Sequence, residues 1–231
     1  MSTLIFDIET VGENYDDLDG TTQDALVRSI KSGNYEQALE EIKNNMVFSP
    51  LTARIVAIGV LDDEREKGAV YYDAKGKKIP DREDEGMKIK AMSEKEMLEH
   101  FWKGVAEYDS FISFNGRGFD VPFLMIRSAV HGIRPSKDLM SNRYLRSQDK
   151  SSKHIDLFDQ LTFYGALRRK GGLHLWCRAF GIESPKISGV TGEDVKRLFE
   201  EGKYEDLARY NAGDLRATRE LYHYWKKYLA F

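Results

Sequence analysis

Thr3-Leu4-Ile5-Phe6-Asp7-Ile8-Glu9-Thr10 is the stretch that decides the fold. Its apolar, β-favouring first half reads as a buried strand, and Asp7 and Glu9 follow in the C-terminal half. Residues i and i+2 of a strand share a face, so the two carboxylates stand side by side. Unpaired carboxylates on a core strand repel one another and are costly to desolvate, a cost that a divalent cation removes. Alone, an Asp-x-Glu pair also arises where one acid caps a helix and the other is exposed.

Outward from this strand the chain alternates short apolar runs with amphipathic segments. Residues 13–49 are polar and helical in character, an insertion before the next strand at Arg54 to Leu61. A third strand is predicted over Gly68 to Asp73, and the charged stretch from Lys75 to Ala91 reads as a surface loop. Ser93 with Glu96 three positions on has capping-box spacing, and Met97, Phe101 and Val105 mark the apolar side of the helix it opens. A fourth strand runs from Asp109 to Phe114, then a helix from about Val121 to Val130. Helices over Ile155 to Leu167, Leu173 to Phe180, Glu193 to Glu201 and Tyr204 to Leu229 complete the second half. Strands with interleaved helices, then mostly helices, predict one α/β domain over residues 1–231.

With 231 residues, 41% hydrophobic and 12% aromatic, the chain can bury a real core, which argues against disorder. No apolar run approaches the roughly 18–20 residues of a membrane span. Residues 1–10 read as a strand rather than a leader, so neither a membrane anchor nor secretion is expected. Cys177 is the only cysteine, which excludes an internal disulfide and a cysteine metal cluster and fits a reducing, cytoplasmic setting. A net charge of −3 excludes a general polyanion binder, so any nucleic-acid contact has to be local. Residues 134–153 are one candidate: Arg134, Lys137, Arg143, Arg146, Lys150 and Lys153 stand against Asp138 and Asp149, with Tyr144 between them. A solvated loop reads the same way.

Two further acids stand out. Asp120 ends Ser113-Phe114-Asn115-Gly116-Arg117-Gly118-Phe119-Asp120, a strand, a glycine turn and a helix start, where it is also a plausible N-cap. Tyr210 and Asp214 are i and i+4 on one helix face. Together Asp7, Glu9, Asp120 and Asp214 form the kind of oxygen ligand set that holds two Mg²⁺ or Mn²⁺ ions. Such a pair stabilises the attacking and leaving oxygens of an in-line phosphoryl displacement.

Phe6-Asp7-Ile8-Glu9-Thr10, then Asn115 with Phe119-Asp120, then Tyr210-x-x-x-Asp214 resemble the three motifs of the DEDD (DnaQ-like) 3′–5′ exonucleases, in their order. Arg209 holds the position five before the last Asp and Tyr210 the position four before it, so the resemblance is to the tyrosine (DEDDy) subgroup. With Pro50-x-x-Ala53-Arg54-Ile55-Val56-Ala57-Ile58 after the first motif, the pattern looks most like stand-alone relatives of the family-B polymerase proofreading domain. The resemblance covers nearly the whole chain. It implies a ribonuclease H-like fold, a mixed sheet of about five strands flanked by helices, with the second strand antiparallel to its neighbours. It also implies roles: Asp7, Glu9 and Asp214 on the metal that carries the attacking water, Asp7 bridging to the second metal, and Asp120 acting more indirectly. Tyr210 would orient the water, and Thr10 and Asn115 would contact the terminal nucleotide; Arg143 and Arg146, read from the basic stretch and not from the resemblance, would steer the strand.

The expected function is then release of nucleoside 5′-monophosphates from the 3′ end of single-stranded DNA or frayed ends, as in proofreading or DNA repair. A 3′–5′ exoribonuclease and a non-catalytic nucleic-acid-binding module with a structural metal are the alternatives, since no residue announces a 2′-hydroxyl contact. Asp156 reads as an N-cap or a fifth carboxylate. His100, His131, His174 and His223 lack metal spacing, and Trp102, Trp176 and Trp225 read as packing. The loop from Lys186 to Val190 is a weak candidate for a phosphate contact, and Phe48 and Tyr144 are candidates for stacking on bases.

Overall fold

Ten residues of strongly β-favouring sequence make β1 (Thr3–Gly12), the strand around which the sheet is built. The computed structural model describes residues 2–28, 34–184 and 192–230, the side chain of Glu193 excepted. After β1 come α1 (Gly20–Arg28), α2 (Tyr35–Asn45), β2 (Ala53–Asp62), β3 (Lys67–Tyr72), β4 (Arg82–Asp84) and β5 (Met87–Ala91). Then follow α3 (Glu94–Val105), β6 (Ser110–Ser113), α4 (Asp120–Val130), β7 (Lys153–Asp156) and α5 (Leu157–Leu161). The chain continues through α6 (Leu173–Phe180), α7 (Val195–Glu200) and the long α8 (Tyr204–Tyr228).

The strands form one seven-stranded mixed sheet in the order β4-β5-β3-β2-β1-β6-β7. As expected, β2 runs antiparallel to both neighbours. β1, β6 and β7 are parallel, which places their C-terminal ends at the same edge.

Two strands go beyond the expected five because the stretch from Lys75 to Ala91 is not simply a loop. β5 pairs parallel with β3 and buries Met87 and Ile89, while the alternating Lys88 and Lys90 give the segment its charged, loop-like composition. The stretch from Ile155 to Leu167 also differs from the helix expected there. Its start belongs to β7, and the helix that follows is only five residues long, too short for a 3.6-residue period to register. The capping box of Ser93 and Glu96 is present at the start of α3, as its spacing predicted.

Alternation along β1 divides the core in two. Leu4, Phe6 and Ile8 pack with Met97, Leu98 and Phe101 of α3 and Val121 and Leu124 of α4. Ile5 and Val11 face the other way, with Leu207, Leu215 and Leu221 of α8 and with Cys177, which is fully buried. Asp7 and Glu9 share the parity of Ile5 and Val11, and this directs their carboxylates towards α8. The segment between β1 and β2 has a small core of its own, Tyr15, Ile42 and Met46, and closes with a 3₁₀ turn over Met46–Phe48. No helix among the described residues is long and apolar enough to cross a membrane.

Candidate active site

The ladder between β1 and β6 ends at Ile5 and Ile112, and beyond it the two parallel strands part. A cleft therefore opens at their C-terminal ends, where open α/β sheets place their sites. In that gap the backbone N–H of Ile8 has no strand partner on the β6 side. Asp120, the first residue of α4, fills the vacancy: its Oδ1 accepts from Ile8 N–H at 3.0 Å. The N-cap position of α4 is held by Phe119 with no side-chain cap bond, so Asp120 is the first residue of the helix and not its cap.

From the other side α8 delivers Tyr210, Asn211 and Asp214. Carboxylate oxygens of Asp7, Glu9 and Asp214 lie within 4.8 Å of one another. Ligand oxygens about 2.0–2.6 Å from a hard divalent cation stand within roughly 5 Å of each other, so this trio fits such an ion. Asp120 lies outside the trio and lines the same open depression of about 270 Å³, together with Asn115, Phe48, Phe114 and Phe119.

Asn211, which no sequence motif singles out, joins the two acids of β1. Its Nδ2 donates to Asp7 at 2.8 Å and to Glu9 at 3.4 Å, and the residue is fully buried. Gly59 on β2, paired with Asp7 across the ladder, makes room for it: a Cβ at Gly59 would stand 1.9 Å from Asn211 Oδ1. Only a residue without a side chain allows α8 to approach β1 this closely.

The electrostatics are those of acids crowded in a dry place. Burial pushes Asp7 well above the usual carboxylate range, and the charges of Asp120, Glu9 and Asp214 push it further. Burial also raises Asp120, to about 7, against the downward pull of the Ile8 N–H bond. A carboxyl that keeps its proton longer when folded than when unfolded stabilises the fold most below about pH 4, the unfolded value. That stability is lost as pH climbs through the folded value. Relative to Asp120→Asn, the cation-free protein should therefore lose thermal stability as pH rises from about 4 to about 7, and Mg²⁺ should restore it. Parallel melting curves in EDTA and in Mg²⁺ check this; a constant difference between the two proteins across that window would contradict it.

Tyr210 is buried against Asp214 one helical turn on, and it hydrogen-bonds that carboxylate. Burial and the negative charges of Asp214, Glu9 and Asp7 raise its hydroxyl far above the ordinary tyrosine value, so it stays protonated.

The side of the cleft that carries Asn115 is braced by Asp156. Besides capping α5 through Phe158 N–H, its carboxylate accepts from the backbone N–H groups of Asn115 and Arg117, each at 2.9 Å. This fixes the turn that carries Asn115, in the left-handed region at φ 64°, onto the rim. Below it, Ser113 Oγ–H donates to His154 Nε2 at 2.7 Å, while His154 Nδ1–H donates to the Leu139 carbonyl. Burial lowers His154 to about 4, which keeps it neutral. Gly116 lies directly over this pair: a Cβ there would meet Ser113 Oγ at 2.1 Å.

The remaining sequence-selected residues are distributed differently. Thr10 is buried and its hydroxyl donates to the Val47 carbonyl, tying β1 to the 3₁₀ turn that presents the exposed Phe48. Arg143 forks onto the Asp159 carboxylate, and Lys137 donates to the carbonyls of Tyr108 and Ser151. Part of the basic stretch is thus engaged in holding its own loop, while Arg146 is exposed. The loop from Lys186 to Val190 lies outside the described residues.

Comparisons with known proteins agree with the fold. A family model described as "Predicted 3′-5′ exonuclease related to the exonuclease domain of PolB" matches residues 48–229. A DNA polymerase of Desulfurococcus sp. (strain Tok) is 31% identical over 145 residues, covering 56% of this chain and 18% of that protein. A DNA polymerase of Pyrococcus glycovorans is 29% identical over 138 residues, with the same coverages of 56% and 18%. The chain thus spans less than a fifth of the length of these curated relatives. Among solved structures, the family B DNA polymerase of the hyperthermophilic archaeon Pyrobaculum calidifontis aligns with 97% of this chain and 24% of its own, at a TM-score of 0.61 and 17% identity, a likeness of fold. The family match starts after β1, so Asp7 and Glu9 are tied to the site by their position beside Asp214. A chain matched over most of its length in this way belongs to the family of predicted 3′–5′ exonucleases related to the exonuclease domain of PolB.

Proposed function

We propose that this chain is a two-metal-ion 3′–5′ exonuclease that removes nucleoside 5′-monophosphates from the 3′ end of single-stranded DNA or of frayed duplex ends. We further take residues 1–231 as one exonuclease domain in which residues 13–49 form an insertion. The observation that carries the reading is the convergence of Asp7, Glu9 and Asp214 within 4.8 Å, with Asp120 on the same depression. Both matched relatives are named as DNA polymerases, which favours DNA over RNA.

Asp7, Glu9 and Asp214 would hold one cation, and Asp7 with Asp120 would extend the set towards a second. Bound Mg²⁺ or Mn²⁺ would supply Lewis-acid activation of water and of the phosphate, and charge neutralisation on the leaving oxygen. The chain's own residues do the rest. Tyr210, protonated at neutral pH and anchored on Asp214, offers its hydroxyl to orient a water molecule. Asn211 holds the Asp7 and Glu9 side chains in one arrangement. Phe48, exposed on the rim and 6.2 Å from Phe119, offers a face on which the terminal base can stack, and Asn115 stands beside it. Tight seating of the last nucleotide requires an unpaired end, since a duplex cannot present one base to a depression of this size.

Incubation with a 3′-end-labelled single-stranded oligonucleotide should release labelled mononucleotide in Mg²⁺ and none in EDTA. Binding without release in Mg²⁺ would overturn the enzymatic reading in favour of a binding module. Faster release from an RNA of the same sequence would overturn the substrate assignment.

A further inference from the structure

We infer that the surface formed by residues 163–176 is the lane along which the strand upstream of the 3′ end runs: a single-stranded nucleic-acid surface continuous with the carboxylate depression. The inference rests on the exonuclease reading above and adds the path of its substrate. Continuity comes through two rings. Phe114, on the wall of the depression, packs edge-on against Phe158 at 5.6 Å, and Lys170 Nζ lies 5.9 Å from the centre of the Phe158 ring.

Lys170 ends the run Leu167-Arg168-Arg169-Lys170, exposed at every position. Among the described residues no ion pair involves Arg168, Arg169 or Lys170. The neighbouring Asp159 is buried and taken up by Arg143. Three adjacent cations without carboxylate partners, on a chain of net charge −3, are a local concentration of positive charge.

Aromatic faces stand among them. Phe163 and Tyr164 both occupy the left-handed region, at φ 50° and 55°, which bulky residues rarely adopt. The turn is held there by Tyr164 N–H donating to the Asp159 carbonyl, Leu167 N–H to the Thr162 carbonyl and Thr162 Oγ–H to the Phe158 carbonyl. Its effect is to turn the Phe163 ring out into water, 55% exposed. Tyr144, 57% exposed, packs on Tyr164 at 4.8 Å and widens the same face. Beyond Lys170 an open depression of about 540 Å³ lies between Leu167, Arg169, Leu175 and Trp176. Phosphate-pairing cations interleaved with exposed rings are the chemistry that holds a single strand without reading its sequence. An apolar protein partner would leave those cations desolvated and unpaired, which disfavours it.

The test compares wild type with a variant carrying Arg168→Ala, Arg169→Ala and Lys170→Ala, and separately with Phe163→Ser. Binding of fluorescein-labelled dT15 and rU15, read by anisotropy in EDTA, should weaken about 10- to 100-fold in the triple variant, and its salt dependence should flatten by a log–log slope of about 2, three phosphate contacts' worth for a single strand. Phe163→Ser should weaken binding about 5- to 100-fold with an unchanged salt slope, the signature of a lost stacking contact. In Mg²⁺ the penalty in kcat/KM should grow with substrate length, from at most about 3-fold on a trinucleotide to 10-fold or more on a 15-mer. Equal affinity and equal salt slope in the triple variant would overturn the lane while leaving the exonuclease reading intact. Strand binding that depends on these residues, with no cleavage by wild type, would overturn the exonuclease reading and keep the surface.

Discussion

Asp7→Asn should reduce turnover by at least about 10³-fold and, in cation-free buffer, make the protein more stable. The first effect follows from the proposed ligand set. Asp7 belongs to the trio with Glu9 and Asp214, and it faces Asp120 electrostatically. Loss of several kcal/mol of charge stabilisation at the reacting phosphate corresponds to about three powers of ten or more. The second effect has the opposite sign because the same carboxylate is held in a buried, negatively charged place, where its ionised form is costly. An asparagine of the same shape removes that repulsion, and its carbonyl can still accept from Asn211 Nδ2. Single-turnover cleavage at saturating Mg²⁺, with melting curves in EDTA and in Mg²⁺, reads both effects. The variant should melt higher than wild type in EDTA and gain less from Mg²⁺. Wild-type turnover in the variant would remove Asp7 from the machinery, and a lower melting point in EDTA would mean that crowding of the acids costs the fold nothing.

Tyr210→Phe should cost between about 10- and 10⁴-fold in turnover, the interval from one lost positioning contact to a full acid–base group. Folding and the stabilisation by Mg²⁺ should survive, because the ring and its packing against the Asp214 turn remain. The tyrosine is a poor base: burial and the charges of Asp214, Glu9 and Asp7 hold its proton on well beyond neutral pH. Its proposed contribution is therefore a hydroxyl held in place, its proton directed to Asp214 and its oxygen able to accept from the water, and the variant should show lower turnover with an unshifted pH profile between about pH 6 and 9. Equal single-turnover rates for Tyr210→Phe and wild type would make Tyr210 a packing residue. A lost alkaline limb in the profile would instead make it a titrating acid or base.

The two faces of β1 and the helix of Tyr210 and Asp214 were legible because their signals are local. Alternation along Ile5, Asp7 and Glu9 assigns a face without knowledge of what covers it, and i, i+4 spacing does the same for Tyr210 and Asp214. The capping box of Ser93 and Glu96 is likewise a bond between residues three apart. β5 was missed because its outward lysines dominate the composition of a strand whose inward residues number only a few. β7 was missed because a strand running straight into a five-residue helix has no period of its own. Asp120 was ambiguous for a different reason. A helix-start Asp reads as a cap until a partner is seen, and its partner is the Ile8 N–H, left open by the parting of β1 and β6.

The sequence by itself determined the α/β order of the elements, the parity of the β1 acids and the shared helix face of Tyr210 and Asp214, because each depends on neighbours within a few positions; the antiparallel second strand follows from the family resemblance and not from local pattern. Tertiary structure alone decided the rest. Asn211 reaches Asp7 across 204 positions, and Gly59 is glycine because of that approach. Asp156 braces the Asn115 turn from 41 positions away. Arg143 is drawn to Asp159, while Arg168, Arg169 and Lys170 remain turned to solvent. The physical reason is common to all of these: a carboxylate, an amide or a guanidinium has the same intrinsic bonding capacity wherever it stands in the chain, and only packing in three dimensions selects its partner.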